Sequence, residues 1–175
     1  MVAIWVGMVY KEIFVQGQQE EIELDIVADP ENFANYLTAL QVDWKKGHQN
    51  FFEVAEGWKR LCKDYFDGLI SIEKLEGQNI LVGEALGKKF SVELFPVVKR
   101  KTCYGQAVVT VLFHDGTTAE ATRFLINRHA HIVDEEGKTI LDPDSGKGSA
   151  SMLTSIGRAV LELPKPPRPT HFSPR

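Results

Sequence analysis

Between Leu69 and Ile126 the apolar side chains recur at every second position, in runs that are separated by glycine-containing turns. This period is that of a β-strand with one buried face. The clearest turn is Asp115-Gly116, because an Asp-Gly pair supplies the positive φ angles that a tight hairpin needs. Strands joined by short turns pair antiparallel. The pattern therefore predicts an antiparallel sheet with strands at Leu69–Leu75, Asn79–Glu84, Phe90–Val98, Gln106–Phe113 and Thr118–Ile126.

Two segments before the sheet carry the period of a helix instead. Asp29 followed by Pro30 is a typical helix start, with the aspartate as the cap and the proline in the first turn. The helix that begins there is predicted to end before Gly47. A second helix is predicted at Phe51–Phe66, where an apolar stripe faces a charged side, and Gly68 is expected to stop it.

A third helix is predicted near the end of the chain, after a polar loop at 128–148. Ser149 or Ser151 is expected to cap this helix, because a serine hydroxyl accepts a hydrogen bond from a free N–H of the first turn. Pro164 is expected to end it. Three strand-like stretches also precede the first helix, at Val2–Tyr10, Glu12–Gln16 and Glu20–Val27.

These elements predict one α+β domain, an antiparallel sheet with about three helices packed on it. The chain has 175 residues, which is near the usual size of one domain and long enough to bury a proper core. The domain is expected to span residues 1–163. Residues 164–175 contain five prolines and three basic residues, which is typical of an extended, flexible tail.

The cysteines and the N-terminus indicate a cytoplasmic protein. Cys62 and Cys103 are far apart and form no CxxC pair, so we expect two buried thiols and neither a disulfide nor a zinc site. The apolar stretch at Met1–Val9 is interrupted by Lys11 and Glu12, which favours a buried strand over a targeting segment. No apolar run reaches the roughly 20 residues of a membrane span.

No familiar catalytic motif is present, so we expect a binding protein and not an enzyme. The segment Ser145–Ser149 superficially suggests a phosphate-binding loop, but the required preceding glycine is missing and Gly148 follows Lys147 where Ser or Thr is needed. A weaker interpretation stays open, in which Lys147 contacts a DNA phosphate at a helix start.

One group of residues could support an enzyme, a metal-dependent nuclease. His129 and His131 alternate, so in a strand they share a face, and an acidic loop follows. Carboxylates that hold a metal ion and a nearby base are what phosphodiester hydrolysis requires. Acidic loop residues are more often simply solvated. The acidic residues concerned are Asp134, Glu135, Glu136, Asp142 and Asp144.

A basic and aromatic cluster favours binding of single-stranded nucleic acid. Lys99, Arg100 and Lys101 are consecutive and precede Tyr104, and Arg123 and Arg128 lie on or just after a later strand. Cations neutralise phosphates and rings stack on bases. The alternative is a solvated hairpin tip. The formal net charge of −4 argues against a generic nucleic-acid coat, so binding has to depend on a local basic surface.

The order of these elements resembles the single-strand DNA annealing proteins, of the phage Erf and Sak types and the related eukaryotic Rad annealing protein. Three features carry the resemblance: a strand at Ala107–Phe113 with the turn His114-Asp115-Gly116, a second strand with Glu120 and Arg123–Leu125, and a terminal helix with Ile156–Val160. A looser similarity covers Phe52–Tyr65, so that the resemblance extends over roughly residues 51–163.

The resemblance implies an open antiparallel sheet backed by helices, and homo-oligomers in the form of rings or filaments. It implies a basic groove for single-stranded DNA and ATP-independent annealing of complementary strands in homologous recombination, with no cofactor. By the same resemblance Arg158 would face the groove from the helix, and Arg123 and Arg128 would lie on or after the groove strand.

A third function also stays open, that of a phage or plasmid accessory protein that binds another protein. The proline-rich tail could dock as an extended ligand on such a partner. Deletion of residues 164–175 would then abolish that interaction and leave DNA binding largely intact.

Overall fold

A computed structural model describes residues 29–165, which form one seven-stranded antiparallel sheet with two helices. The predicted α+β class is therefore confirmed. The three strand-like stretches before Asp29, and the tail from residue 166 onward, lie outside the described residues. No helix in the described range is long and apolar enough to cross a membrane. The elements are α1 (Pro30–Phe66), β1 (Ile70–Lys74), β2 (Ile80–Ala85), β3 (Lys88–Lys99), β4 (Thr102–Leu112), β5 (Thr118–Ile126), β6 (Ile132–Val133), β7 (Thr139–Leu141) and α2 (Gly148–Glu162).

The first helix is continuous where the sequence predicted two helices, so the described residues contain two helices and not three. α1 runs for 37 residues, and the Asp29 side chain caps it by accepting a hydrogen bond from the Glu31 N–H. Gly47 is buried inside this helix, and a Cβ there would lie 3.2 Å from the Asn127 carbonyl oxygen. The predicted break at Gly47 is wrong, because the glycine serves close packing against a neighbouring turn and does not end the helix.

The strands follow one another in the sheet in chain order, each antiparallel to its neighbour. β3 and β4 form the longest pair, in register from Lys89↔Leu112 to Lys99↔Thr102. Both strands extend further towards the turn than predicted, since β3 continues to Lys99 and β4 already begins at Thr102. The predicted loop at 128–148 contains β6 and β7, which the sequence analysis missed because strands of two and three residues are too short to show a period.

The core lies on one face of the sheet, which we call the inner face. The C-terminal half of α1 and the whole of α2 pack there against alternate residues of the strands. The Trp58 Nε1 donates a hydrogen bond of 3.0 Å to the Ser149 Oγ, which joins the two helices and satisfies the buried indole. The largest fully buried side chains are Trp58, Phe51, Leu81, Ile126, Met152, Leu153, Ile156, Val92, Val109, Val111 and Val160.

The start of α2 differs from the prediction. The helix begins at Gly148, and Lys147 occupies the cap position without a side-chain hydrogen bond. The expectation that Ser149 or Ser151 caps this helix is wrong. Both serines lie inside the first turn, and the Ser149 hydroxyl accepts a hydrogen bond from Trp58.

The C-terminal end of α2 is anchored at two points. Lys165, just beyond the helix, forms a 2.8 Å ion pair with Asp115 of the β4–β5 hairpin. Hydrogen bonds from Lys165 and Thr117 hold the pKa of the Asp115 carboxyl well below its usual range. The start of the predicted tail is therefore attached to the domain. Lys88 donates to three carbonyl oxygens at the helix end, those of Val160, Leu161 and Leu163.

Candidate functional site

The β3–β4 hairpin closes through a turn that consists of Arg100 and Lys101 alone, since Lys99 and Thr102 are paired in register. Both turn residues have positive φ angles, 48° and 65°, as a type I′ turn requires. Asparagine and glycine are preferred at such positions, because other side chains are strained there by about 1 kcal/mol or more. Both side chains are exposed, and no residue between 29 and 165 forms an ion pair with either.

Two aromatic rings lie behind this turn, on the face of the sheet opposite the core, which we call the outer face. Phe95 is paired with Gln106 and Tyr104 with Val97, so the two rings are diagonal neighbours. The Phe95 side chain is 47% exposed. Phe95 was not among the site residues predicted from the sequence, although its odd spacing from the core residue Phe90 places it on the face away from the core.

The β6–β7 turn contacts one side of these residues. Glu135 forms an ion pair with Lys99. A Cβ at Gly137 would lie 2.5 Å from the Tyr104 hydroxyl oxygen, so the turn backbone lies against the end of that ring. The turn therefore offsets the charge of Lys99 and covers the tip of Tyr104, and it leaves Phe95 exposed.

Arg123 extends the same surface onto β5, where it is paired with Val108 of β4. Glu120 accepts two hydrogen bonds from its guanidinium, each 2.5 Å long. This contact lowers the pKa of Glu120 and raises that of Arg123. The charge of Arg123 is thus partly neutralised. Since Val108 is seven residues beyond Lys101, the surface from the hairpin tip to Arg123 is about 20 Å long.

The other three predicted DNA-binding residues lie on different surfaces. Arg128 forms a 3.1 Å ion pair with Asp43 of α1, and its Nε is buried without a hydrogen-bond partner among the described residues. Lys147 is exposed at the start of α2. Arg158 is exposed on α2, where a 2.7 Å ion pair with Glu162 raises its pKa. We call the β3–β4 turn, together with the outer face from that turn to Arg123, the hairpin surface. Its residues are Phe95, Lys99, Arg100, Lys101, Tyr104 and Arg123.

The histidines and part of the acidic loop form a second cluster, which we call the His–Asp cluster. His131, Asp142 and Asp144 each offer one ligand atom within 4.8 Å of the others. The His131 Nε2 lies 3.4 Å from the Asp142 Oδ1, and the His129 ring centroid is 5.8 Å from that of His131. The other acidic residues of the predicted metal site belong to the β6–β7 turn, outside this cluster: Asp134, Glu135 and Glu136.

A turn and a helix together position the two histidines. The Asn127 Oδ1 accepts hydrogen bonds from the backbone N–H groups of His129 (2.9 Å) and His131 (3.1 Å). The Asn50 side chain of α1 donates a 2.8 Å hydrogen bond to the Arg128 carbonyl oxygen. The cluster borders a cavity of about 550 Å³, which is lined by Asn50, Glu53, Val54, His129, His131 and Asp144.

A cavity of about 1020 Å³ lies between the end of α1 and strands β1–β5, and none of the predicted site residues lines it. Cys62 does line it, but burial raises the pKa of this thiol. Burial also raises the pKa of Cys103, and the nearby Asp43 adds to that effect. A raised pKa keeps a thiol protonated and weakly nucleophilic, so neither cysteine is an activated nucleophile.

The hairpin surface and the His–Asp cluster have to be interpreted from their own geometry. No protein-family model matches the chain, and neither does any curated protein or solved structure.

Proposed function

We propose that the protein binds single-stranded DNA at the hairpin surface and anneals complementary strands without a nucleotide cofactor. The observation that supports this proposal best is a pair of exposed cations, Arg100 and Lys101, at the tip of a hairpin whose outer face carries the exposed ring of Phe95 about 15 Å along β3. Cations bind phosphates and rings stack on bases, and a single strand offers both contacts. A duplex keeps its bases stacked inside, so such a ring has no base to meet there.

Annealing requires bases that are held by the protein but remain free to pair. Stacking uses the face of a base and a phosphate contact uses the backbone, so both leave the Watson–Crick edge accessible. A surface about 20 Å long holds only a few nucleotides. The proposal therefore includes a cytoplasmic homo-oligomer, a ring or a filament, in which several hairpin surfaces line up along one strand.

The local charge agrees with this proposal better than the overall charge does. The chain has a formal net charge of −4, which opposes non-specific attraction to DNA. At the hairpin tip the only acidic contact among the described residues is that of Glu135 with Lys99. Arg100 and Lys101 are the cations of the hairpin surface for which the described residues provide no acidic partner.

Backbone strain at the turn gives an independent reason to assign a function to it. Two consecutive basic residues occupy a conformation in which asparagine and glycine would be more stable. Strained residues of this kind concentrate at functional sites. The two side chains therefore lower the stability of the hairpin and supply its free charges.

The test is the double substitution Arg100→Asn with Lys101→Gly, which removes both charges and supplies the residues that a type I′ turn prefers. Binding of a fluorescent single strand is measured over a salt series with chelator present. If each cation contacts one phosphate, the salt slope falls by about 1.4, which corresponds to roughly twenty-five-fold weaker binding at 0.1 M salt. Thermal stability should rise, so weaker binding cannot be attributed to unfolding.

The matched control is Lys45→Gln with Lys46→Gln, which removes the same net charge from an exposed part of α1. This control should leave the salt slope unchanged. Equal losses in both double variants would show that only the overall charge matters and would overturn the proposal. Annealing is then followed with two complementary labelled strands in chelator, and the turn variant should slow it.

The remaining predicted contacts stay predictions. Arg128 pairs with Asp43 of α1, Lys147 stands at the start of α2 and Arg158 pairs with Glu162 on α2, so these three residues would have to reach DNA from other elements than the hairpin. Single substitutions of these residues to glutamine distinguish the two possibilities. Only if they weaken binding does the DNA path extend beyond the hairpin.

A further inference from the structure

We propose that His131, Asp142 and Asp144 bind a divalent transition-metal ion, with a coordination position open to the cavity that Glu53 and His129 line. This site shares no residue with the hairpin surface. Metal binding can therefore be tested separately from DNA binding.

The spacing of the ligand atoms supports a metal site. Ligands at about 2.1 Å from a tetrahedral ion are about 3.4 Å apart. The His131 Nε2 and the Asp142 Oδ1 are separated by 3.4 Å, which is longer than an ordinary hydrogen bond and equal to that spacing. The third ligand atom, on Asp144, is within 4.8 Å of both, so this exposed side chain has to move by up to about 1.4 Å to reach the tetrahedral spacing.

The types of ligand favour a transition metal over magnesium or calcium. Imidazole suits zinc and its first-row neighbours, whereas magnesium and calcium prefer oxygen ligands throughout. Zinc accepts both imidazole and carboxylate ligands, and its catalytic sites combine three protein ligands with one open position. Zinc is accordingly the probe that we choose.

The loop that carries the two aspartates has a defined conformation. The Asp142 Oδ1 accepts a 2.8 Å hydrogen bond from the Asp144 N–H and retains a lone pair for a metal ion. Gly148 is buried at the start of α2, and a Cβ there would collide with the Asp142 carbonyl group. Glycine at this position lets the loop pack closely against the start of α2.

A cavity adjoins the cluster. It has a volume of about 550 Å³, room for several water molecules or a small ligand, and it borders His131 and Asp144 directly. Glu53 and His129, two further side chains of ligand type, lie in its wall. An ion at the His–Asp cluster would therefore face a polar space with a carboxylate and a second imidazole beside it.

The experiment is calorimetric titration of the full-length, tag-free chain with zinc chloride in metal-free buffer, with magnesium and calcium chloride in parallel. We expect one equivalent of zinc to bind. His131→Ala and Asp144→Asn should each lower the affinity by about ten-fold or more, since even the loss of an outer partner of a metal ligand has an effect of this size. The control is His114→Ala, an exposed histidine of the β4–β5 turn, which should bind zinc like the wild type.

A second readout separates metal binding from a folding defect. Zinc should raise the melting temperature of the wild type and of His114→Ala, because an ion that binds the folded state stabilises it. It should not raise that of His131→Ala, whose melting temperature without metal should equal that of the wild type. Absence of zinc binding, or equal zinc affinity in wild type and His131→Ala, would overturn the proposal. DNA binding in chelator would be unaffected by either result.

Discussion

Phe90 and Phe95 lie on the same strand, five residues apart and on opposite faces of one sheet. Phe90 is 3% exposed and belongs to the core, whereas Phe95 is 47% exposed. The two helices cover the inner face, while neither helix buries the ring of Phe95 on the outer face. The same type of side chain thus packs in the core on one face and stays exposed on the other, because the two helices lie on the inner face.

The largest change in stability is expected from a substitution on the inner face. Phe90→Ala should lower the free energy of unfolding by about 3–5 kcal/mol, the usual cost of removing a phenylalanine from a packed core. Urea denaturation followed by tryptophan fluorescence measures this, because Trp58 is in the same core. If Phe95→Ala proved equally destabilising, the contrast between the two faces would be wrong.

Removal of the Phe95 ring from the outer face should weaken DNA binding with little loss of stability. Phe95→Ala should cost less than about 1 kcal/mol of stability, and it should weaken single-strand binding about five-fold or more, the equivalent of one stacked base. Fluorescence anisotropy measures the affinity. The control is Leu112→Ala, which truncates another outer-face side chain that is 47% exposed and lies at the far end of β4. Equal weakening in both variants would count against a specific stacking position.

Two glycines of α1 provide a comparison within one helix. Gly57 has open space around it, so Gly57→Ala should stabilise the protein by about 0.5–1 kcal/mol through helix propensity. At Gly47 a new Cβ meets the Asn127 carbonyl oxygen at 3.2 Å, so Gly47→Ala should gain less or become destabilising. The urea midpoints of both variants measure the difference between the two stability changes. Identical gains would show that Gly47 is not a packing contact.

The smallest effect concerns pH. Burial, and secondarily the charge of Lys74, lower the pKa of His48 below the usual value of about 6.5. The folded chain then binds this proton less readily than the unfolded chain, so stability is lost as the pH falls from about 6.5 through the lowered pKa. His48→Gln should flatten this pH dependence slightly, because the ring is only partly buried. Denaturation of both proteins between pH 5 and 7.5 measures the difference, and parallel profiles would contradict the assignment.

Much of the sheet could be predicted because its strands and turns are marked by residues that are close together in the sequence. Alternating apolar residues and glycine turns located all five long strands, and Thr118–Ile126 agrees residue for residue. The α1 prediction failed at Gly47 because the reason for that glycine is the Asn127 turn, which is distant in the sequence. The prediction that a serine caps α2 failed for a similar reason. The Ser149 hydroxyl accepts a hydrogen bond from Trp58, which is distant in the sequence.

The candidate sites were predictable only as lists of residues. The sequence placed Lys99, Arg100 and Lys101 together, but it did not show that Glu135, from a distant turn, pairs with one of them. Nor could it show which acidic residues join His131, because that depends on the conformation of the loop between β7 and α2. Ion pairs and metal-ligand geometry depend on contacts between distant segments of the chain, and the local spacing of apolar residues does not encode such contacts.

The strict chain order of the seven strands has a consequence for how the molecule folds. Within residues 29–165 each strand pairs only with its chain neighbours, so each hairpin closes a short loop and loses little chain entropy. Contacts between near neighbours in sequence favour fast folding. We therefore expect the meander to assemble hairpin by hairpin from its longest pair, β3 with β4. The docking of α2 onto α1 is expected to be slower, because it requires a long loop to close. It joins segments about 90 residues apart, at Trp58 and Ser149.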